Sequence, residues 1–259
     1  DKISRHEELA SIIKKSGALA GIQPVHGGGK SSSGLTGGKL IGASSVIVPT
    51  RENSLETPQE LSLGEIKLYQ DWYLQAAKRA AASGYDIVEL HSAHGYGLNQ
   101  WISPLTNQRT DEYGGSLENR SKMLFEIFQK IRTALPNKIL GVRIPGEDHF
   151  DGGLTQEDML FVSRRLQDLG ADFIVVSSGI GGWRRPLDRT GEGYLLPEAT
   201  LIQGKIEVPV IGVGGIVKVE DVGSGEIEEY TLVLAEMMDI DAGHISLASP
   251  LGRALKVRE

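Results

Sequence analysis

Three observations predict an α/β fold built on one parallel sheet. Apolar, β-rich runs recur along the chain, and they are continuous rather than alternating, the pattern of parallel strands covered on both faces. Helical patterns separate those runs, as βα units require. The length, 259 residues, is that of one (β/α) barrel or one large doubly wound domain.

The elements follow in order. A helix over His6–Lys15 stops at Ser16-Gly17. Leu19–Gln23 is the first strand. Residues 27–63 form a Gly/Ser-rich segment with little periodicity, and so long a loop in a compact domain is usually a functional excursion. A helix over 64–83 places Ile66, Tyr69, Tyr73, Ala76, Ala77 and Ala80 on one face. Asp86–Leu90 is the second strand. Ser116 caps a helix over 117–134 with the stripe Met123, Leu124, Ile127, Phe128 and Ile131. Ile139–Ile144 is the third strand. Thr155, with Asp158 three residues on, starts another helix, with Leu160, Phe161, Leu166 and Leu169 as its buried side. Phe173–Ser177 is the fourth strand. Pro197 suits the first turn of a helix over 197–204. Val210–Val213 is the fifth strand, Glu226–Met238 the last long helix, and His244–Leu247 the sixth strand.

A closed barrel needs eight strands. Two are hidden in 27–63 or lie ahead of Asp1, and the opening on Asp1-Lys2-Ile3-Ser4-Arg5 without Met fits the second reading better. No repeat beyond the βα unit and no sign of a second domain is visible. One barrel domain over 1–259, incomplete at its N-terminus, is therefore expected.

The net charge of −7 argues against nucleic acid and acidic membrane surfaces as partners. No apolar run approaches the roughly 20 residues that cross a bilayer. The absence of Cys excludes disulfides, thiolate iron–sulfur ligation and a cysteine nucleophile within this chain, and it fits a reducing cytoplasm.

His91-Ser92-Ala93-His94-Gly95-Tyr96 follows directly on the second strand. The C-terminal ends of parallel strands are the functional edge of such a sheet. If both imidazoles face one pocket, they can hydrogen-bond one oxygen, while the phenol can deliver a proton to a neighbouring carbon. That suits activation of a carbonyl-conjugated double bond. Two other readings stand beside it. Histidines near strand ends are often packed or capping residues, and imidazole is a common zinc ligand. No nearby Asp or Glu has an obvious ligand spacing, but His26 and His149 follow other strands and keep a metal site open.

The motif continues through Asn99-Gln100-Trp101-Ile102-Ser103-Pro104-Leu105-Thr106-Asn107-Gln108-Arg109-Thr110-Asp111-Glu112-Tyr113-Gly114-Gly115-Ser116 and Glu118-Asn119-Arg120. This stretch strongly resembles the old yellow enzyme family of flavin-dependent ene-reductases and NADH:flavin oxidoreductases. Gln23-Pro24-Val25-His26-Gly27, Gly141-Val142-Arg143-Ile144, Val175-Val176-Ser177-Ser178-Gly179 and Val210-Ile211-Gly212-Val213-Gly214-Gly215-Ile216 extend the resemblance to about residue 217. It implies a TIM (β/α)8 barrel with FMN at the C-terminal mouth, the six strands matching the third to the eighth.

The resemblance also implies roles. His91 and His94 match the pair that hydrogen-bonds the substrate's activating oxygen, and two histidines there are similar to the bacterial, thermophilic-like subgroup; other branches carry His then Asn. Fixed donors of this kind are worth roughly 3–4 kcal/mol each in well-studied cases. Tyr96 matches the proton donor to the α-carbon. Gln23 matches the residue on the flavin pyrimidine edge, and Arg143 the cation facing the flavin N1/O2 region; its alternative is an ion pair with Glu89 or Asp86. Gly214 and Gly215 could offer backbone N–H groups to a phosphate. Gly252-Arg253-Ala254-Leu255 resembles the family's phosphate-binding Gly-Arg, although Ala248-Ser249-Pro250-Leu251 intervene where the family runs directly from the strand. Pro24 and Gly29 stand where the family more often has Leu and Arg. Trp183-Arg184-Arg185 could line the pocket or be solvated.

The implied activity is reduction of enone-type small molecules by NAD(P)H through FMN, in an assembly that relatives commonly build through barrel helices. The rivals are a dienoyl-CoA reductase or amine dehydrogenase relative, a non-catalytic barrel for a phosphorylated ligand, and a metal-dependent hydrolase.

Overall fold

The computed structural model describes residues 2–49, 56–182, 185–187 and 189–215, with the backbone of four short strands at 218–220, 227–229, 231–233 and 244–246. Helix α1 (Lys2–Lys15) leads into β1 (Gly21–Ile22). The Gly/Ser-rich segment holds a 3-10 turn at Gly28–Lys30, a single-turn helix α2 (Ser33–Thr36), β2 (Ile41–Gly42) and β3 (Gln59–Glu60). Then come α3 (Leu63–Ala82), β4 (Ile87–His91), α4 (Gly97–Ile102), α5 (Leu117–Ala134), β5 (Ile139–Pro145), α6 (Gln156–Asp168), β6 (Phe173–Ser177), α7 (Leu196–Gln203) and β7 (Val210–Gly212). The last strands are β8 (Lys218–Glu220), β9 (Ile227–Glu229), β10 (Thr231–Val233) and β11 (His244–Ser246).

The main sheet has the order β1-β4-β5-β6-β7 with every pair parallel, the α/β arrangement that the sequence predicts. Helices start where side chains can satisfy their first N–H groups. Ser62 and Glu65 form a capping box on α3, as Thr155 and Asp158 do on α6, and Ser116 Oγ accepts from the Asn119 amide at the start of α5. Ile66, Tyr69 and Tyr73 of α3 and Met123, Leu124, Ile127, Phe128 and Ile131 of α5 are buried in one core with Val88, Leu90, Leu140, Val142, Ile144, Ile174 and Val176 of the strands. On α6 the fully buried side chains are Met159, Val162, Ser163 and Leu166; Phe161 and Leu169 pack at its edge.

The strands are less uniform than their apolar runs suggest. One face packs on the helices. The other carries charge. The register sets Glu89 beside Gly141 and Phe173, and in the next layer His91 beside Arg143, Val175 and Ile211. Phe173 lies across Gly141, whose missing side chain leaves the ring its space.

Three expectations need correction. The Gly/Ser-rich segment does contain two strands, but β2 and β3 pair with each other and not with the main sheet. The helix expected over Glu226–Met238 is replaced, where described, by β9 and β10. Ile227, Thr231 and Val233 are β-branched, and such side chains favour extended backbone over a helix. His244–Leu247 is a strand at 244–246, yet it pairs parallel with β10 and not with the main sheet, so the described main sheet has five strands. Helix α4 was not expected; six residues are too few to display a period.

Candidate active site

β4 delivers His91 at its last residue, opposite Arg143 on β5. The chain then turns tightly. The Tyr96 amide donates to the Ala93 carbonyl at 3.1 Å, and Tyr96 stands immediately before α4. This turn brings the three rings together. Centroids are 4.9 Å apart for His91–His94, 5.2 Å for His91–Tyr96 and 6.3 Å for His94–Tyr96, every pair edge-on.

His94 has a φ of 60°, a left-handed conformation uncommon outside glycine. Its amide donates to the Ser178 carbonyl at 3.0 Å, and its Nε2 lies 2.6 Å from Ser177 Oγ. Both imidazoles are buried. Burial, with the Arg143 cation adding to it, pushes His91 down to about 4. Burial pushes His94 to about 2, helped by Arg143, then His91 and Lys30. Both rings are therefore neutral at pH 7, each carrying one N–H. His91 Nδ1 accepts the Ala93 amide at 3.3 Å, which leaves the ring proton on Nε2.

Arg143 donates through Nη2 to Ser177 Oγ at 3.0 Å. Its Nε is buried without a hydrogen-bond partner among the described residues. Burial lowers Arg143, while the charge of Glu89 opposes the change. Glu89 is raised, chiefly by burial; a hydrogen bond from the Gln23 carboxamide and the Arg143 charge pull the other way. Arg143 thus senses Glu89 through space while its hydrogen bond goes to Ser177. Gln23 sits where the sequence places it, but its amide is committed to Glu89.

Gly214 and Gly215 have φ of 106° and 68° just beyond β7. Their carbonyls accept the Tyr194 and Gly193 amides at 3.1 and 3.3 Å. A Cβ at either position would come within 3.0 Å of the Tyr194 ring. Both glycines lie on the β7 side of the sheet, three strands from the histidine loop. Gly252 and Arg253 lie outside the described residues, as do Trp183 and Arg184. Arg185 is exposed, its guanidinium 5.1 Å from the Tyr194 ring centroid.

The other two histidines separate. His26 packs edge-on against Tyr69 at 5.0 Å and accepts the Gly28 amide through Nδ1 at 3.0 Å, which makes it a packing residue. His149 groups with Glu147 and Glu198, the one set of three such side chains among the described residues close enough to share a metal ion. The Arg189 guanidinium already bridges those carboxylates, at 3.2 Å from Glu147 and 2.5 Å from Glu198.

Sequence reasoning passed over three residues here. Ser177 joins His94 to Arg143. Asp148, buried and raised by that burial, accepts Ser103 Oγ at 2.6 Å and the Leu154 and Ile180 amides at 2.9 and 2.8 Å, tying the loops after β5 and β6 together. Lys30 reaches in from the Gly/Ser-rich segment to the His94 carbonyl, at 3.1 Å. Only the position of Ser177, at the end of an apolar run, gave any signal.

The arrangement suits a planar, partly anionic group above the strand ends. Arg143 has an unused buried donor beside two neutral imidazoles, and an unsatisfied buried donor is costly unless a ligand completes it. A flavin ring meets that chemistry.

Residues 1–235 match the NADH:flavin oxidoreductase / NADH oxidase family. The chain belongs to this family. It is 38% identical over 207 residues to an NADPH dehydrogenase of Geobacillus sp. (strain WCH70), a match covering 80% of this chain and 58% of that relative's length. The chain thus spans a little over half of the protein it matches. Histamine dehydrogenase from Rhizobium sp. 4-9 superposes with a TM-score of 0.73 at 29% identity, over 81% of this chain and 31% of that one. The old yellow enzyme homologue from Zymomonas mobilis shares the fold, with a TM-score of 0.67 at 22% identity, over 82% and 61% of the two chains. These neighbours place the sheet in the TIM-barrel class. Among the described residues, no helix is long and apolar enough to cross a membrane.

Proposed function

We propose that the protein is an FMN-dependent NAD(P)H oxidoreductase that reduces the activated C=C bond of enone-type substrates. The observation that carries this reading is the convergence of two neutral imidazoles and one phenol, with centroids 4.9–6.3 Å apart, at the end of a parallel strand. Arg143 would hold the flavin ring, joined by Gln23 once its carboxamide turns from Glu89; Gly214, Gly215, Gly252 and Arg253 would hold its phosphate. Bound FMN would supply the two-electron relay between NAD(P)H and the acceptor.

The remaining work falls to this chain's own side chains. His91 Nε2–H and the His94 imidazole bind the substrate carbonyl oxygen. Negative charge grows on that oxygen as the β-carbon is reduced, and fixed donors stabilise it. Neutral imidazoles do this without giving up a proton. The phenol of Tyr96 then protonates the α-carbon, so one hydride equivalent and one proton saturate the bond.

The test is direct. The full-length protein should show flavin absorbance, as purified or after adding FMN, and should oxidise NAD(P)H when cyclohexenone is present. Protein that never gains the absorbance would overturn the cofactor assignment. Flavin binding without turnover of any enone would overturn the reaction and leave a binding barrel.

A further inference from the structure

We propose that Lys30 is a positioning residue of this site, holding His94 and Tyr96 in register from the far side of the loop. The inference rests on the reading of that site given above.

His94 must keep a left-handed backbone conformation that is costly for a non-glycine residue and survives only when its surroundings over-determine it. The amide is held by Ser178 and the ring by Ser177. The carbonyl is held by Lys30 Nζ, which donates to it at 3.1 Å. The same ammonium stands 5.2 Å from the Tyr96 ring centroid, within cation–π range. One side chain thus touches the imidazole-bearing residue and the phenol together.

The space for Lys30 is shaped to fit. A Cβ on Gly95 would come within 3.1 Å of Lys30 Cδ, and a Cβ on Gly182 within 3.0 Å of its Nζ. These glycines come from two different loops, after β4 and after β6, and the lysine lies between them. The segment carrying Lys30 is itself pinned to the motif. Gln100 donates to the Gly27 and Gly95 carbonyls at 3.2 and 2.7 Å and accepts the Gly29 amide at 3.0 Å. The Gly/Ser-rich excursion therefore closes over the histidine loop, and Lys30 is the side chain that reaches through.

Displacing a catalytic group by about 1 Å can cost on the order of 100-fold in rate. Lys30→Met fills the slot without the ammonium and should lower kcat of enone reduction by about 10- to 100-fold, with KM changed less than about 3-fold. Lys30→Arg, which restores a donor and a cation, should recover most of the loss. A second readout needs neither flavin nor turnover: the imidazole 15N resonances of His94 at fixed pH. Wild type should show one set of shifts from one locked ring; Lys30→Met should shift or broaden them while the melting temperature stays within a few degrees. Unmoved His94 resonances in a folded Lys30→Met protein would overturn the proposal. So would a Lys30→Arg variant no better than Lys30→Met. Should wild type reduce no enone at all, the functional reading fails, while the resonances still decide the role of Lys30.

Discussion

Two clusters stand at the ends of neighbouring strands, and each is built around a histidine with left-handed backbone: His94 after β4, at φ 60°, and His149 after β5, at φ 54°. Around His149 the charges answer one another. Arg189 bridges Glu147 and the fully buried Glu198, and His149 Nδ1 lies 3.3 Å from Glu147. Around His94 they do not. Arg143 gives its hydrogen bond to a neutral serine, the Glu89 carboxylate it senses is bonded by Gln23 instead, and both imidazoles are driven neutral. A closed cluster holds loops together. An open one leaves its cation without a bonded carboxylate, as a site for an anionic group requires.

The sharpest way to separate the clusters is to remove a reacting atom from one and a counter-charge from the other. Tyr96→Phe deletes one oxygen at the open cluster. It should lower kcat for enone reduction by roughly 10²–10⁴-fold, the range for a general acid, with the thermal midpoint almost unchanged. His91→Leu keeps volume and removes a donor; a loss of roughly 10²–10³-fold in kcat should follow. Stopped-flow or steady-state NAD(P)H oxidation reads both. Loss of less than 5-fold in either variant would remove that residue from the chemistry.

Arg189→Met tests the closed cluster. It strands Glu198, and breaking a buried ion pair costs about 3 kcal/mol, the low end of the usual range because Arg189 is partly exposed. Urea unfolding measures this. Adding Glu198→Leu should restore most of the stability, since an apolar replacement of both partners is often neutral. If Arg189→Met instead leaves stability intact and abolishes turnover, the division between the clusters is wrong.

How much of this could be read in the sequence depends on range. His91, His94 and Tyr96 lie within six residues of one strand end, so one turn decides their meeting, and the motif was legible. So were two helix starts, because Ser116 and Thr155 act on amides three residues away; the cap that Ser62 makes on α3 went unread. The closed cluster was not legible. Glu147, Arg189 and Glu198 are joined by loops whose course no local rule sets. Lys30 was hidden for the same reason, 64 residues from the carbonyl it holds. The 226–238 region misled because Glu228 and Glu229 read as helical while the β-branched residues around them favoured strands.

Proton linkage offers a gentler contrast. A histidine depressed in the folded state stabilises the protein fully above its unfolded value, near 6.5, and loses that contribution as pH falls toward the folded value. For His91 the window runs from 6.5 to about 4, and for His94 it extends to about 2. His26, lowered by burial, acts with the same sign. Stability should therefore fall by up to about 1.4 kcal/mol per group for each pH unit below 6.5. Urea midpoints at pH 7.5 and 5 measure it, and His91→Leu should flatten the slope. A wild-type slope that His91→Leu leaves untouched would mean the ring is already charged in the fold.

The smallest effect probes the backbone of the open cluster. Asparagine tolerates left-handed φ better than most residues and keeps an N–H donor on a short side chain. His94→Asn should therefore fold as stably as wild type and lose less than about 10-fold in kcat, because the donor is kept and the conformation suits it. His94→Leu should fare worse on both counts, since it has no donor and a poorer fit to φ 60°. Should the two variants lose equal activity and equal stability, the strained turn would be holding the loop and not a hydrogen-bond donor, and the open cluster would have to be counted with the closed one.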